Sequence, residues 1–363
     1  MTSRRNVLGL GLAATAVPIL APLGPERAAM AGLSPDQPTG RRGEAEQTFP
    51  RYAHLPADQA SITSAAYEWW YVVGHVNTGR RWFGYEVTIN RSSAGPEVHA
   101  AITDETAGTH RGFVQRYEPG RVTFSTDELD LRTPDATLVG PMGAMRLTAR
   151  LRDARIELTL RHTGPVLYPG GTGLIPFADG HSYYYSLPSL VTRGVLTIGG
   201  HAHQVRGTSW LDRQWGTWHW ENIQRWTWMA VQLDNGDRLN VWSLVQNGED
   251  QEYATIVDPD GHHTVASIVP LAEHARDFWT SPVTGQTYPT RWRVEIPGRN
   301  TRLDIRSLVT EQELDVPYPG QPRGLYEADC AVTGTYAGRR TTGRAYVELY
   351  GDWKRRTPAA SRS

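Results

Sequence analysis

The feature that most limits this fold is a long series of short β-rich runs, each closed by turn residues, with almost no stretch that repeats at helical spacing. Residues 81–91, 121–125, 145–153, 156–162, 195–198 and 204–210 alternate apolar with polar side chains or are rich in β-branched and aromatic ones, which is the pattern of strands. The second half continues it at 226–233, 238–245, 252–257, 291–296, 301–308, 326–334 and 342–349. Turn clusters such as Asp234-Asn235-Gly236-Asp237, Asp258-Pro259-Asp260-Gly261 and Pro297-Gly298-Arg299-Asn300 separate these runs, and Asn235-Gly236 predicts a tight hairpin. The best short helix is 271–279, bounded by Pro270 and Pro282. Strands at this spacing imply sandwiches or barrels, and 363 residues exceed one small barrel. The expectation is an all-β chain with two consecutive antiparallel barrels at 49–222 and 223–355, the boundary falling near 221–225, and a disordered tail at 356–363.

The N-terminus reads as an address. Arg4-Arg5 precede an uncharged run over 7–23, and Ala29-Met30-Ala31 offers small residues for cleavage, a signal of the twin-arginine export type over 1–31. Pro18 and Pro22 interrupt the run, which is short for a bilayer span, so cleavage is expected rather than a membrane anchor. The expected location is extracellular, periplasmic or cell-envelope. A polar, Gly- and Pro-rich tether follows over 32–48. A lone Cys330 precludes an intramolecular disulfide. With 37 basic and 38 acidic residues the net charge is −1, which gives no electrostatic reason to expect nucleic acid or an anionic membrane as partner.

Residues 207–244 hold seven of the chain's 13 tryptophans. On an extended backbone Arg206, Thr208, Trp210 and Asp212 share one face, and Val205, Gly207, Ser209 and Leu211 share the other. Asp212 therefore points where Trp210 points. A carboxyl facing indole walls resists ionisation and can donate a proton near neutral pH, which makes Asp212 the catalytic candidate. The competing reading is a surface aspartate paired with Arg213 or Arg206. The bias to 13 Trp and 16 Tyr over 6 Phe suits a ligand-facing cavity, and aromatic β cores would produce it as well.

Glu68-Trp69-Trp70-Tyr71 with Gly74-His75, then Tyr184-Tyr185-Ser186 with Gly194 and Leu196, then 207–216 with Trp228 and 232–236, and finally Gly343-Arg344-Ala345-Tyr346-Val347-Glu348-Leu349 carry a family likeness. Through them the chain resembles the lipocalin-like (calycin) family that contains AttH-type secreted proteins, carotenoid 1,2-hydratases and related hydratases and cyclases of secondary metabolism. The resemblance implies two consecutive calycin-type barrels and a cavity for an apolar molecule. It also places an acid in the segment of Asp212 in the hydratase members. The family's usual Trp-x-Asp-x-Glu-Trp-Gly is broken here, because Gln214 stands where the second carboxylate is expected; glutamine can hold a water but cannot shuttle protons at neutral pH.

Adding water to an isolated alkene requires a proton donor, walls that tolerate a cation, and a positioned water. Asp212 supplies the first; ring faces of Trp210, Trp228 and Tyr184 supply the second; Gln214 or Tyr184 holds the water. Trp215, Trp70, Glu68 and His181 complete the expected substrate contacts. Run backwards, the same set dehydrates; with an internal nucleophile it cyclises, and with proton loss elsewhere it isomerises. The expected enzyme is thus a cofactor-independent hydratase, dehydratase, isomerase or cyclase acting on an apolar isoprenoid, polyene or polyketide. Glu68, on the side of Trp70, faces a pocket or plays a structural part with Arg80 or Arg81 as partner. The pairs His201/His203 and His262/His263 lack the further ligands of a zinc site, so no metal is expected. Gly180-His181-Ser182 is no nucleophile elbow. Gly170-Gly171-Thr172-Gly173 lacks the lysine of a phosphate loop and reads as a loop at a barrel mouth. The rival class is a secreted carrier, in which Asp212 merely orients an apolar ligand.

Overall fold

The computed structural model describes residues 50–318, 323–351 and 353. The expected signal segment, tether and C-terminal tail lie outside them. The fold consists of two curled antiparallel sheets. Along the twelve-stranded sheet the order is Thr109–Arg116, Gly95–Asp104, Trp82–Ser92, Tyr67–Asn77, His201–Thr217, Gly180–Ile198, Ala154–His162, Met145–Arg150, Ala136–Val139, Asp130–Arg132, Thr123–Phe124, with Leu174–Phe177 paired to Gly180–Ile198. The ten-stranded sheet runs His263–Ser267, Glu249–Val257, Arg238–Gln246, Ile223–Leu233, Arg339–Tyr350, Leu325–Tyr336, Thr301–Ser307, Thr287–Ile296, Arg276–Thr280, with Glu313–Leu314 paired to Leu325–Tyr336.

The two orders are the same plan used twice. In each sheet the first four strands form a meander, the first strand then pairs with the last, and the remaining strands return through the penultimate one. Each sheet wraps its own apolar core: Val72, Val87, Leu147, Leu160, Leu187 and Leu211 belong to the first, and Met229, Val241, Trp292, Leu303, Ala328 and Val347 to the second. A third apolar cluster, with Tyr71, Tyr184, Trp210, Trp226, Trp228, Trp242 and Tyr346, draws from both sheets. Strands facing it are therefore buried on both sides, one face on their own core and one on the other sheet.

Burial on both sides accompanies the strands the sequence concealed, although Ile223–Leu233 and Arg238–Gln246 are buried likewise and were legible from their β-branched and aromatic content. Tyr67–Asn77 and Gly95–Asp104 are buried on both faces, so they lack the alternation that marks a half-exposed strand. Gly180–Ile198 and His201–Thr217 extend well beyond the short runs 195–198 and 204–210 for the same reason. The helix expected at 271–279 is not formed. Leu271–Glu273 is a single 3-10 turn, and Arg276–Thr280 is an edge strand, where Phe278 and Trp279 pair with Pro289 and Tyr288, as suits residues with strong β preference. The Asn235-Gly236 hairpin forms as expected, with Gly236 at φ 99°.

Polar contacts join the sheets. Tyr71 donates to Glu327 Oε2 at 2.6 Å, His75 Nδ1 meets Asp329 Oδ1 at 2.8 Å, and Arg344 donates to Glu105 at 2.5 Å. The close approach depends on Gly84, where a Cβ would lie 2.4 Å from the Cβ of Asp329. Gly170 and Tyr168 donate backbone N–H groups to Thr255 and His263, so the glycine-rich loop docks on the second sheet.

Candidate active site between the sheets

Period-two alternation along His201–Thr217 sends Trp210, Asp212 and Gln214 into the space between the sheets and Leu211, Arg213 and Trp215 into the first sheet's core. Asp212 is 2% exposed. Its Oδ1 accepts from Trp210 Nε1 at 2.5 Å, and its Oδ2 accepts from the Tyr184 hydroxyl. That hydroxyl in turn accepts from Trp228 Nε1 at 2.8 Å and Asn240 Nδ2 at 2.9 Å. Tyr184 and Ser186 share this face because Gly180–Ile198 pairs with the Asp212 strand in a register that sets Ser186 opposite Asp212 and Tyr184 opposite Gln214. Burial pushes the Asp212 carboxyl up to about 7, against the pull of Ser186, Tyr184 and Trp210 toward the charged form. Among the described residues no arginine pairs with it, so the surface ion pair with Arg213 or Arg206 is not formed.

Arg213 turns the other way. Its guanidinium donates to Glu68 Oε2 at 2.6 Å and to the Ala60 carbonyl at 2.9 Å, and it lies 3.8 Å over the Trp70 ring. Glu68 also accepts from Arg91 at 2.7 Å and Ser61 at 2.5 Å. Burial alone would raise the Glu68 carboxyl, but Arg213, Ser61, the Ile62 N–H and Arg91 together hold it below the usual carboxylate range. The expected partners Arg80 and Arg81 are thus replaced: Arg91 stands directly opposite Glu68 in the ladder, and Arg81 pairs with Asp104. Trp70 and Trp215 belong to the first core beside this ion pair, and His181 is exposed, edge-on to Tyr183. Of the expected substrate contacts, the structure gathers Trp228 with Asp212, Gln214 and Tyr184 around one cavity, has Trp210 donate to Asp212 in the same cluster, and leaves Trp70, Trp215 and His181 elsewhere.

An outer cavity of about 250 Å3 runs between the sheets. One wall is aromatic, from Tyr67, Trp69, Trp220, Trp226, Tyr318 and Tyr350; the other carries Thr88, Asn90, Arg91, Glu97 and His99, with Glu68 at its edge. Through Trp69, Tyr71, Trp226 and Glu348 it adjoins an inner cavity of about 20 Å3 at Asp212, a space of the size that holds one water. Gln214 lines the inner cavity, is 2% exposed, and its Nε2 has no hydrogen-bond partner among the described residues.

Sequence reasoning missed Trp69, Tyr71, Phe177, Trp226, Trp242, Asn240 and Glu348. A signal for the last existed: on 345–350, Ala345, Val347 and Leu349 alternate with Tyr346, Glu348 and Tyr350, an aromatic-and-acid face like that of Trp210 and Asp212. Glu348 stands directly opposite Glu327 in its sheet. Burial, with Glu86 and Asp212 nearby, pushes Glu348 up to about 8; burial pushes Glu86 up to about 7 and, with Glu348, raises Glu327 well above its ordinary value. Outside both cavities, Asp258, Asp260 and His262 gather their ligand atoms within 4.8 Å. They form a partly exposed turn in which Asp258 accepts from His262.

A family model described as AttH-like matches residues 46–352. The dehydratase asqC of Emericella nidulans is 28% identical over 215 residues, covering 56% of this chain and 60% of that protein, so the match spans well under two thirds of its length. Kievitone hydratase of Fusarium solani subsp. phaseoli is 23% identical over 248 residues, 65% of this chain and 69% of the relative. Among solved structures, one assigned to an AttH from Nitrosomonas europaea has a TM-score of 0.71 at 26% identity, covering 82% of this chain and 96% of that one. Kievitone hydratase from Nectria haematococca has a TM-score of 0.70 at 18% identity, covering 84% and 94%, and so shares the fold.

Proposed function

We propose that this chain, which belongs to the AttH-like family, is a hydro-lyase that adds water to, or removes it from, an apolar isoprenoid, polyene or polyketide held between its two sheets. Asp212 is the proton-transfer group. The observation that carries the reading is a carboxyl at the closed end of an aromatic cavity, buried with no cation paired to it among the described residues and raised by burial to about 7. A carboxyl raised by burial toward neutrality can donate in one direction of the reaction and accept in the other. Water transfer moves protons and no net electrons, so a carboxyl meets its chemical demand.

The outer cavity accommodates the body of the substrate, and its reacting end meets the inner cavity beside Trp69, Tyr71 and Trp226. Trp228 lines the inner cavity, where its ring attracts developing positive charge, and Trp210, edge to face with it at 6.2 Å between centroids, holds Asp212 from behind through Nε1. Gln214 Nε2, buried and unpaired, has a donor free for the reacting water. The dehydratase and hydratase names of two relatives support the same reaction class. A carrier would have no need of a proton-holding carboxyl kept away from arginine.

The test is incubation of the chain with a panel of isoprenoid and polyketide alkenes and tertiary alcohols, read by mass spectrometry. Gain or loss of one water in the wild type, abolished by Asp212→Asn while ligand uptake persists, is the expected result. A new species at constant mass would redirect the reading to isomerisation or cyclisation. Uptake without conversion in both proteins would make the chain a carrier.

A further inference from the structure

The duplicated topology relates residues across the two sheets. In the first, the opening strand pairs with the closing strand so that Trp69 opposes Gln214, Tyr71 opposes Asp212 and Val73 opposes Trp210. In the second, Trp226 opposes Tyr350, Trp228 opposes Glu348 and Ala230 opposes Tyr346. Superposing the ladders matches Tyr71 with Trp228 and Asp212 with Glu348. The matched aromatics touch each other, Tyr71 standing edge-on to Trp228 with centroids 5.1 Å apart, so the relation's axis passes through the site itself. Both matched carboxyls line the inner cavity. Glu348 is partly accessible, and it also borders the outer cavity where Asp212 does not.

We propose that Asp212 and Glu348 are a pseudosymmetric carboxyl pair sharing one proton across the inner cavity, and that Glu348 is the second catalytic group of the site. The chemistry rests on the water-transfer reading above. In hydration, the O–H bond of the protonated member breaks as the alkene π electrons form the new C–H bond. The neighbouring carbon becomes cationic, a water lone pair forms the C–O bond, and the water gives its proton to the ionised member. The pair begins and ends with one proton, no electrons are exchanged, and dehydration is the reverse. Glu348 thereby fills from the other sheet the place left by Gln214, which cannot carry a proton.

Other acids crowd the Glu348 side of the pair, with His99, hydrogen-bonded to Glu97, the opposing group beside Glu86. Glu348 faces Glu327 across its own ladder and Glu86 from the first sheet. Tyr71 donates to Glu327, and Thr88 donates to Glu86. Arg344, two residues before Tyr346, is committed to Glu105 and lies 3.6 Å from Asp329, so it is turned to other acids. Carboxyls crowded in this way cannot all ionise, and they titrate as coupled groups.

The test uses the full chain labelled with 13C at Asp and Glu carboxyl carbons, titrated by NMR. The Asp212 and Glu348 signals are assigned by their loss in Asp212→Asn and Glu348→Gln. The expected result is a fall of the Asp212 midpoint by about one pH unit or more in Glu348→Gln, the coupling expected of such a pair. Because coupling is reciprocal, Asp212→Asn lowers the Glu348 midpoint equally, and this second variant decides the matter if Glu348→Gln does not fold. Midpoints that stay put in both variants overturn the proposal. On any compound the wild type hydrates, Glu348→Gln is expected to lower kcat about 100-fold and remove one limb of the pH profile; wild-type rates and profile in that variant also overturn it. If the midpoints move but no compound is converted by the wild type, the water-transfer reading fails while the coupled pair stands.

Discussion

Residues 212 and 213 are neighbours in the chain and opposites in environment. Arg213 enters the first sheet's core and meets Glu68, which a second arginine and two hydrogen-bond donors also hold. Asp212 enters the space between the sheets, where its neighbours are indoles, a phenol and other acids. Both carboxyls are buried, at 0% and 2% exposure, yet one is held below the usual range and the other lifted to about 7. Burial alone therefore decides nothing. A carboxyl given cations becomes part of the framework, and one denied them keeps a transferable proton.

The contrast breaks most decisively at Arg213. Arg213→Met leaves Glu68 buried beside Arg91 alone and is expected to cost about 3–5 kcal/mol, read by urea unfolding. At about pH 4, where Asp212 is uncharged in the fold, Asp212→Asn is expected to change stability by less than about 1 kcal/mol, and at neutral pH to lower turnover by roughly 10²–10⁴-fold. If both variants lose similar stability, the division into framework and reactive carboxyl is wrong.

Tyr184→Phe comes next. It removes the acceptor used by Trp228 Nε1 and Asn240 Nδ2, an expected loss of about 1–3 kcal/mol. It also removes a donor that favours ionised Asp212, so the Asp212 midpoint should rise in a carboxyl NMR titration. A midpoint that falls would contradict the assigned hydrogen bond.

The two carboxyls should also act in opposite pH windows. Asp212 is raised above its ordinary 3.8, so its favourable contribution is full below that value and lost as pH rises through about 7. Glu68 is lowered from 4.5, so its contribution is present above that value and lost as pH falls through its folded pKa. Thermal midpoints of Asp212→Asn should accordingly decline less than wild type between about pH 4 and 7, and those of Glu68→Gln should depend less on pH at the acid end. The same slope in all three proteins would sink the assignment.

The smallest effect on stability is expected at Gln214. Since its Nε2 has no hydrogen-bond partner among the described residues, Gln214→Leu should shift unfolding by less than about 1 kcal/mol. A role in holding water should appear as a lower kcat at unchanged stability. A large loss of stability would mean that the amide is structural instead.

Much of the fold was legible from residues that obey one local rule. Runs such as 145–153 and 301–308 alternate because one face meets water, and Asn235-Gly236 turns because Gly236 takes a positive φ. Tyr67–Asn77 escaped the list of strands because water touches neither face. In the site, Trp210 and Asp212 could be put on one side from spacing alone, and they do share a hydrogen bond. Trp70 and Trp215 were placed with them by composition, although their positions on Tyr67–Asn77 and His201–Thr217 send them into the first core. Glu348 was legible only as part of a motif, because its meaning depends on a strand 136 positions away in sequence from Asp212.

The sequence by itself determined the all-β class, many of the strands, and the fact that 212 and 213 look in opposite directions, because backbone geometry imposes a period of two within any strand. Tertiary structure alone decided which direction met cations and which met indoles, and that Glu348 would face Asp212. Those outcomes follow from pairing between strands far apart in the chain, and the charge and dielectric around a carboxyl are set by what packs against it.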